Sequence, residues 1–255
     1  MTAVTPDSAR QYLSKIELPA LSRGADFDGG PGIDFDALKN QAAVVGSQVV
    51  SFAKGVSAPH RQDIADCTLL AQLAANKKIT AESGIFDWYN DYFAVLEQLG
   101  WVTQSKSFDV YNAQTDNLET HEAILKVAAG LLGAGSTALA VVVSTLQAMQ
   151  SMDADNPWIT IFNRESRRMN ATRFQIALAE ESQGEVGITM MAFALEADAV
   201  VTQVLFFKVQ TDAVTLEHCS GKVTVNEVVL TGVRDTLRQK LIGRSKGFID
   251  SIDLG

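Results

Sequence analysis

The chain has 255 residues, of which 47% are apolar and 20% are charged, and its formal net charge is −9. This composition is typical of a globular protein with a sizeable core and excludes a disordered chain. The acidic balance argues against a nucleic-acid partner, because phosphate binding requires clustered lysine and arginine. It leaves membranes open as partners, since burial of apolar surface can drive membrane binding without basic residues.

The N-terminal segment is expected to form a flexible arm over residues 1–32, ending in a Gly- and Asp-rich loop at Ser22–Gly32. A single α/β domain is expected over residues 33–255. The first residues are polar and lack the apolar run of about 7–15 residues that a signal peptide needs. We therefore expect the protein to be secreted or released without a classical signal peptide.

Three helices and a strand are predicted in the first half of the chain. Apolar residues from Phe35 to Phe52 recur at spacings of three and four, which predicts a helix. Ser57 is the predicted cap of a second helix, and Gly100 ends a third one that begins near Asp87. The alternating sequence from Trp101 to Tyr111 predicts a strand. The aromatic cluster of the third helix suits core packing better than a membrane-interface belt: Trp88, Tyr89, Tyr92 and Trp101.

The most unusual segment runs from Val127 to Met152, because its 26 residues include no charged side chain. Its length would suit a membrane span, but the sequence GAGS at Gly133–Ser136 interrupts it. Two short apolar helices joined by a turn are the better interpretation. Such a hairpin is either the dry core of a soluble fold or a segment that can leave that core for a bilayer.

After Pro157 the apolar pattern changes to a period of two, which predicts consecutive strands followed by a helix with Val229, Val233, Leu237 and Leu241 on one face. Short turns between consecutive strands favour antiparallel pairing. We therefore expect an α/β fold of the α+β type, in which an antiparallel sheet is wrapped by helical hairpins in three α-β-α layers. The predicted strands are Trp158–Phe162, Arg173–Ser182, Val186–Leu195, Val200–Gln210, Ala213–Cys219 and Lys222–Asn226.

The sequence offers little for catalysis or metal binding. The three histidines, His60, His121 and His218, have no metal-ligand spacing, and His218 and Cys219 point to opposite faces of a strand. We therefore expect no enzyme, no catalytic residue and no metal site. The contiguous Glu180 and Glu181 are expected to be solvated. The basic group Arg164, Arg167 and Arg168 is a candidate for lipid headgroups, although a solvated connection is favoured.

The two cysteines are far apart in the sequence, and we expect no disulfide between Cys67 and Cys219. Cys67 lies in a helical pattern and Cys219 at a predicted strand end. Cys219 is the candidate for an S-linked acyl chain stored in an apolar cleft. A small buried thiol is the favoured alternative.

The segment from about residue 105 to 226 resembles the Cyt-type cytolytic delta-endotoxins and their fungal relatives of the volvatoxin kind. The resemblance rests on SFDVYN before the apolar hairpin, on PWITIF after it, on the RFQIALAEESQGEVGITMMAFAL hairpin and above all on QVLFF at Gln203–Phe207. It implies a three-layer fold, membrane binding and permeabilisation, and homo-oligomers on the phospholipid membrane of a target. The N-terminal third does not match the family, which leaves room for a divergent relative such as a bacterial virulence factor.

Three functions remain open from the sequence: a cytolysin that is soluble until it meets lipid, a virulence factor that carries a bound or covalently linked fatty acid without forming pores, and an interaction protein with a dry core. For the first, the candidate insertion residues are the apolar side chains of the hairpin and of two strands. They are Val127, Leu131, Leu132, Leu139, Val141, Val142, Ile188, Met190, Phe193, Val204, Leu205, Phe206 and Phe207.

Overall fold

The computed structural model describes residues 3–19, 34–78, 85–111, 120–167, 172–196, 215–242 and 249–253. Within these ranges, seven strands form one sheet. They are β1 (Gln41–Val45), β2 (Gln48–Phe52), β3 (Trp101–Tyr111), β4 (Thr172–Ser182), β5 (Glu185–Glu196), β6 (Thr215–Val225) and β7 (Ile249–Asp253). Their order across the sheet is β3-β6-β5-β4-β2-β1-β7.

Seven helices of the described ranges cover the two faces of this sheet. They are α1 (Pro6–Lys15), α2 (Ala58–Lys78), α3 (Ile85–Gln98), α4 (Thr120–Leu132), α5 (Thr137–Gln150), α6 (Pro157–Ser166) and α7 (Glu227–Leu241). One apolar core lies between the sheet and helices α1, α2, α3 and α7. A second core lies on the opposite face, beneath α4, α5 and α6. The expected three-layer α-β-α architecture is therefore confirmed.

The segment predicted as a helix from Phe35 to Phe52 contains the β1–β2 hairpin instead. All ten residues of the two strands are buried, because helices cover both sides of the sheet. A strand that is buried on both faces shows no polar alternation, so its apolar spacing resembled that of a helix. The turn between the strands places Gly46 at φ +58°, a conformation that glycine adopts without strain.

The predicted strand Trp158–Phe162 is also wrong, since these residues belong to α6. The local sequence contains a helix start that outweighs the β-branched residues. The Asn156 side chain accepts a hydrogen bond from the backbone N–H of Trp158 at 3.0 Å, and Pro157 occupies the first turn.

The sheet is not purely antiparallel. Strands β2 and β4 pair in parallel, from Gln48 opposite Gln175 to Phe52 opposite Ala179, whereas the other pairs are antiparallel. The reason is the long connection between β2 and β4, which contains five helices and β3. A crossover of this length permits parallel pairing, which a short turn does not.

The last strands were predicted as two pieces separated at Ser220 and Gly221, but β6 runs through both residues. Gly221 is required for close packing rather than for a turn, because a Cβ atom there would lie 2.8 Å from Phe93 Cζ. Cys219 therefore lies within a strand and not at its end. The predicted strand at Val200–Gln210 lies outside the described residues.

The predicted N-terminal arm contains helix α1, in which Ala9 and Leu13 are fully buried in the core between the sheet and helices α1, α2, α3 and α7. Arg10 Nε donates a hydrogen bond to the Gly232 carbonyl of α7 at 2.9 Å. This part of the arm is therefore packed, which differs from the expected flexible segment. The loop expected at Ser22–Gly32 lies outside the described residues, and the division at residue 32 stays a prediction.

Candidate functional site: the uncharged helical hairpin

The uncharged segment forms the second half of α4, the turn and α5, and this confirms the helical hairpin that the sequence predicted. Helix α4 begins earlier, at Thr120, and its first half carries Glu122 and Lys126. Its turn places Gly133 at φ +88° and Gly135 at φ +76°, where other residues would be strained. Ser136 then begins α5, because its hydroxyl accepts a hydrogen bond from the Leu139 N–H at 3.0 Å. The hairpin therefore has a sharp, sequence-determined corner between two helices of 13 and 14 residues.

The hairpin packs on the sheet through apolar side chains. Its buried residues in the second core are Ala123, Ile124, Ala128, Val141, Val142, Leu146 and Met149. A hydrogen bond also joins α5 to β2, because the Ser51 and Thr145 hydroxyl oxygens lie 2.7 Å apart. The Thr145 hydroxyl donates to the Val141 carbonyl at 3.0 Å, so Ser51 is the donor to Thr145. Residues 127–152 cannot form an ion pair because they include no charged side chain.

The candidate insertion residues of the hairpin lie at different depths. Val141 and Val142 are buried, whereas Leu131 is 44% exposed. Val127, Leu132 and Leu139 are half-buried at the margin of the second core. The hairpin therefore presents apolar surface to solvent at its turn end and buries one face of each helix along the rest of its length.

The candidate insertion residues of β5 divide between the two faces of the sheet. Phe193 belongs to the core on the hairpin side, where its ring stacks on Phe174 at 5.2 Å between centroids. Ile188 and Met190 face the opposite core, beneath α2 and α3. Phe193 therefore lies on the face of the sheet that the hairpin and α6 cover, whereas Ile188 and Met190 lie on the other face. Val204, Leu205, Phe206 and Phe207 lie outside the described residues.

The opposite helix layer is held by polar contacts. The Arg61 guanidinium of α2 is fully buried and donates to Gln41 Oε1 at 2.6 Å and to the carbonyls of Val56, Lys39 and Ala53. Gln72 Nε2, also on α2, donates to the Val45 carbonyl at 2.8 Å. Helix α2 is thus fixed to β1 and to the loops beside the hairpin β1–β2 by several directed hydrogen bonds. The described part of the α4–α5 hairpin is joined to the sheet by the Ser51–Thr145 hydroxyl pair.

A charged cluster joins α2, the end of β4 and the start of α7. His60 Nδ1 lies 2.9 Å from Glu181 Oε2, and His60 Nε2 lies 3.0 Å from Glu227 Oε2. Since both ring nitrogens face carboxylates, the imidazole is doubly protonated in this arrangement. Burial lowers the pKa of His60, but the hydrogen bonds and charges of the two glutamates outweigh it and raise that pKa above its ordinary value.

The sequence did not predict this cluster, and Glu181 was expected to be solvated. Burial raises the pKa of Glu181, but His60 and the Ser57 N–H outweigh it, so that pKa lies below its ordinary value. Beside it, Arg234 Nη2 contacts Asp63 Oδ2 at 2.6 Å, with Asp63 almost fully buried. Burial raises the pKa of the neighbouring Asp66 to about 6. These groups act as a structural clamp between α2 and α7.

The thiols and the basic candidates have structural surroundings. Cys67 and Cys219 are both free and buried, so no disulfide joins them. Acylation of Cys219 stays a prediction. Arg164 and Arg167 lie at the end of α6, where Arg164 Nε contacts Glu165 at 2.7 Å and Arg167 Nε donates to the Asn163 carbonyl. Arg168 lies outside the described residues.

The ranges that the structure describes contain no group of three or more acidic, histidine or cysteine side chains arranged to hold a metal ion. Among the helices of those ranges, none combines the length and the apolar character that crossing a bilayer would require.

Comparison with known proteins gives distant structural likenesses. No protein-family model matches the chain, and no curated protein matches it. A solved delta-endotoxin structure is similar at 13% identity, covering 82% of this chain and 89% of that chain, with a TM-score of 0.41. A structure described as the Evf virulence factor is similar at 15% identity, covering 96% of this chain and 91% of that chain, with a TM-score of 0.32. The relationship to both is a distant one.

Proposed function

We propose that the protein binds phospholipid membranes and permeabilises them without enzymatic turnover, and that the α4–α5 hairpin leaves the sheet in this process. The observation that carries the proposal is the different attachment of the two helix layers. The hairpin packs through apolar side chains and a hydroxyl pair, whereas α2 is fixed by the buried Arg61 and Gln72. Apolar side chains that leave the sheet can be buried again in lipid, but lipid tails offer no replacement for directed hydrogen bonds.

The lack of charge over residues 127–152, which form the second half of α4, the turn and α5, supports the same step, while Glu122 and Lys126 lie in the first half of α4. A charged side chain at the centre of a bilayer costs at least about 2.5–3.5 kcal/mol. Residues 127–152 would incur none of this cost, because the flanking charges are Lys126 and Asp153 at the two ends. The half-exposed Leu131 at the turn end is a first point of contact with lipid.

The sheet face beneath the hairpin is suited to the next step. It carries Phe174, Ile176, Leu178, Met191 and Phe193, which are all fully buried in the second core. Once uncovered, these side chains would favour lipid or the same face of a second copy. We therefore propose homo-oligomers on the membrane, with no nucleic-acid partner, for a protein that becomes membrane-associated in its target.

The test is a disulfide that fixes the hairpin to the sheet. Cysteines at the positions of Ser51 and Thr145 would place sulfur atoms where two oxygens now lie 2.7 Å apart, and this separation suits a bridge. We expect the oxidised Ser51→Cys/Thr145→Cys protein to release no dye from phospholipid vesicles, and we expect reduction to restore release. Peptide mapping would verify the bridge.

The matched controls are Ser51→Cys alone and Thr145→Cys alone under the same oxidising treatment, which should release dye like the unmodified protein. Unchanged release with the bridge closed would contradict hairpin movement, and no release from any vesicle composition would contradict permeabilisation itself. The intact mass of the purified chain tests the acyl alternative on the same sample. A mass increase of a few hundred daltons mapped to Cys219 would favour the fatty-acid carrier instead.

A further inference from the structure

A row of side chains crosses the sheet beneath α3, on the face opposite the hairpin. Gln48 of β2 pairs with Gln175 of β4, Gln175 pairs with Ala192 of β5, and Ala192 pairs with Cys219 of β6. Alternate residues of a strand share a face, so Gln48 and Gln175 lie on the side of Ala192 and Cys219, which belong to the core under α2 and α3. Arg173 shares this face, roughly 7 Å along β4 from Gln175.

The polar atoms of this row are buried without hydrogen-bond partners. Gln48, Gln175 and Arg173 are 0%, 1% and 8% exposed. Among the described residues, no atom lies within ordinary hydrogen-bond distance and geometry of the two amides or of Arg173 Nε and Nη1. The hydroxyl groups of Tyr89 and Tyr92 lie near enough to interact weakly with the amides of Gln175 and Gln48. Burial of a polar group without a hydrogen-bond partner costs free energy of folding. In native proteins such groups are therefore hydrogen-bonded to another polar group.

The balance of hydrogen-bond donors and acceptors among these atoms indicates which chemical group would satisfy them. Arg173 Nε and Nη1 and the two amide nitrogens are donors, and their hydrogens outnumber the oxygen atoms of the two amides and of the neighbouring Tyr89 and Tyr92 hydroxyls. The cluster therefore has an excess of donors and a positive charge. A carboxylate, with two oxygens and about four acceptor sites, matches this excess.

Among the side chains that the structure describes, no carboxylate forms an ion pair with Arg173. Its guanidinium carbon lies 4.9 Å from the centroid of the Trp88 ring, and Tyr89 covers the same face while its hydroxyl donates to the Phe174 carbonyl at 3.2 Å. Burial lowers the pKa of Arg173 to about 10, so the side chain stays charged at neutral pH. A buried cation is stable when an anion pairs with it.

We propose that Gln48, Arg173 and Gln175 form a binding site for a carboxylate, with Arg173 as the anchor and the two amides as further donors. Arg173 is the second residue of β4 and retains some exposure, so the head group enters from that end of the sheet. The aromatic cover of Trp88, Tyr89 and Tyr92 favours a carboxylate on an apolar molecule. The site is independent of the hairpin, since it lies on the other face.

The first experiment measures thermal unfolding of the full chain in sodium acetate and in sodium octanoate, each matched in ionic strength with sodium chloride. We expect both carboxylates to raise the Tm, and we expect Arg173→Met, which keeps the length and removes the charge, to weaken the apparent affinity at least about tenfold. The matched control is Arg167→Met, which changes a solvent-exposed arginine and should respond like the unmodified protein.

The relative affinities of the two probes distinguish the ligand sources. Tighter binding of octanoate than of acetate assigns a fatty acid, and equal affinities assign a small carboxylate. A carboxylate-dependent shift that is absent from the unmodified protein, or that persists in Arg173→Met, would overturn the site. If Arg173→Met does not fold, the test is the ¹³C chemical shift of carboxyl-labelled octanoate in the presence of the unmodified protein. A carboxylate that binds at the site changes its chemical shift, and an unchanged chemical shift would overturn the proposal.

A side chain of the protein itself is the competing anion. By strand register, Arg173 pairs with Ala194, and Ala194 pairs with Glu217, so Glu217 stands two strands away in the same row. In an internal ion pair, Glu217→Gln and Arg173→Met would destabilise the fold non-additively and octanoate would not bind. For the proposed site, Glu217→Gln leaves the octanoate response intact.

Discussion

His60 gives the fold a pH dependence at the scale of a single residue. Because the pKa of His60 is raised on folding, its contribution to stability is present below the unfolded pKa of about 6.5 and is lost as pH rises through the folded pKa. The pKa of Glu181 is lowered on folding, so its contribution is present above its unfolded pKa and is lost as pH falls through the folded one. The clamp is therefore strongest in mildly acidic solution.

We predict that His60→Gln destabilises the protein by roughly 1.5–3 kcal/mol near pH 6, since hydrogen bonds to charged groups contribute about that much. The difference from the unmodified protein should shrink as pH rises towards 9, when the imidazole becomes neutral. Urea unfolding at several pH values measures it. Glu181→Gln should cost more than Glu227→Gln, because the Glu181 side chain is 19% exposed and that of Glu227 is 48% exposed. A difference that grows with pH would contradict the clamp.

Gly221 provides a second test at this scale. A Cβ atom at Gly221 would lie 2.8 Å from Phe93 Cζ, so Gly221→Ala should destabilise the fold by about 1–3 kcal/mol through overpacking. The matched control is Gly187→Ala on the neighbouring strand, where the nearest atoms to a new Cβ are at 3.9 Å. Thermal unfolding of both variants is the measurement, and equal losses would show that β6 and α3 are not packed this closely.

The charged cluster around His60 and the row of buried glutamines are features that the sequence did not predict. His60 is separated by 121 positions from Glu181 and by 167 from Glu227, and no local pattern links residues so far apart. Gln175 could have been noticed, because it interrupts the apolar part of β4, whereas Gln48 is the first residue of β2 and gives no such signal. Their position in one row depends on the parallel pairing of β2 and β4, which the sequence did not indicate.

At the scale of elements, predictions succeeded where the local signal was unambiguous. The α4–α5 hairpin follows from its glycines and the Ser136 cap, and β4 and β5 follow from their alternation and a short turn at Gly184. They failed where burial on both faces removed the alternation, as in β1 and β2. They failed again where the Asn156 cap determined α6 against β-branched residues. The main helices, strands and layers could thus be predicted from the sequence, whereas the order of the strands in the sheet could not.

The different attachment of the helices leads to a prediction for hydrogen exchange. Helix α2 buries 14 residues and is fixed by Arg61 and Gln72, whereas α5 buries five and packs mainly through apolar side chains. We expect amides of residues 137–150 to exchange on the order of tenfold or more faster than those of residues 58–78, measured by mass spectrometry. Phospholipid vesicles should increase this difference. Equal protection of the two helices would remove the reason to assign movement to the hairpin.

At the scale of the whole molecule, the sheet separates two cores that can open in sequence. The three tryptophans report on them separately, because Trp158 lies in the core on the hairpin side while Trp88 and Trp101 lie in the opposite core. Since the opposite layer has the polar anchors of α2 and the clamp to α7, the hairpin side should be the first to loosen.

We therefore predict that a protein with Trp158 as its sole tryptophan, made by Trp88→Phe and Trp101→Phe, shows its fluorescence change at a lower urea concentration than one that retains Trp101 alone. Addition of phospholipid vesicles should shift the Trp158 emission and leave the Trp101 emission nearly unchanged, because the layer of α2 and α3 stays on the sheet. Circular dichroism of both variants controls for their overall stability. Coincident transitions for the two probes would mean that the layers unfold as one cooperative unit. In that case the hairpin could not leave the sheet while the rest of the fold remains intact.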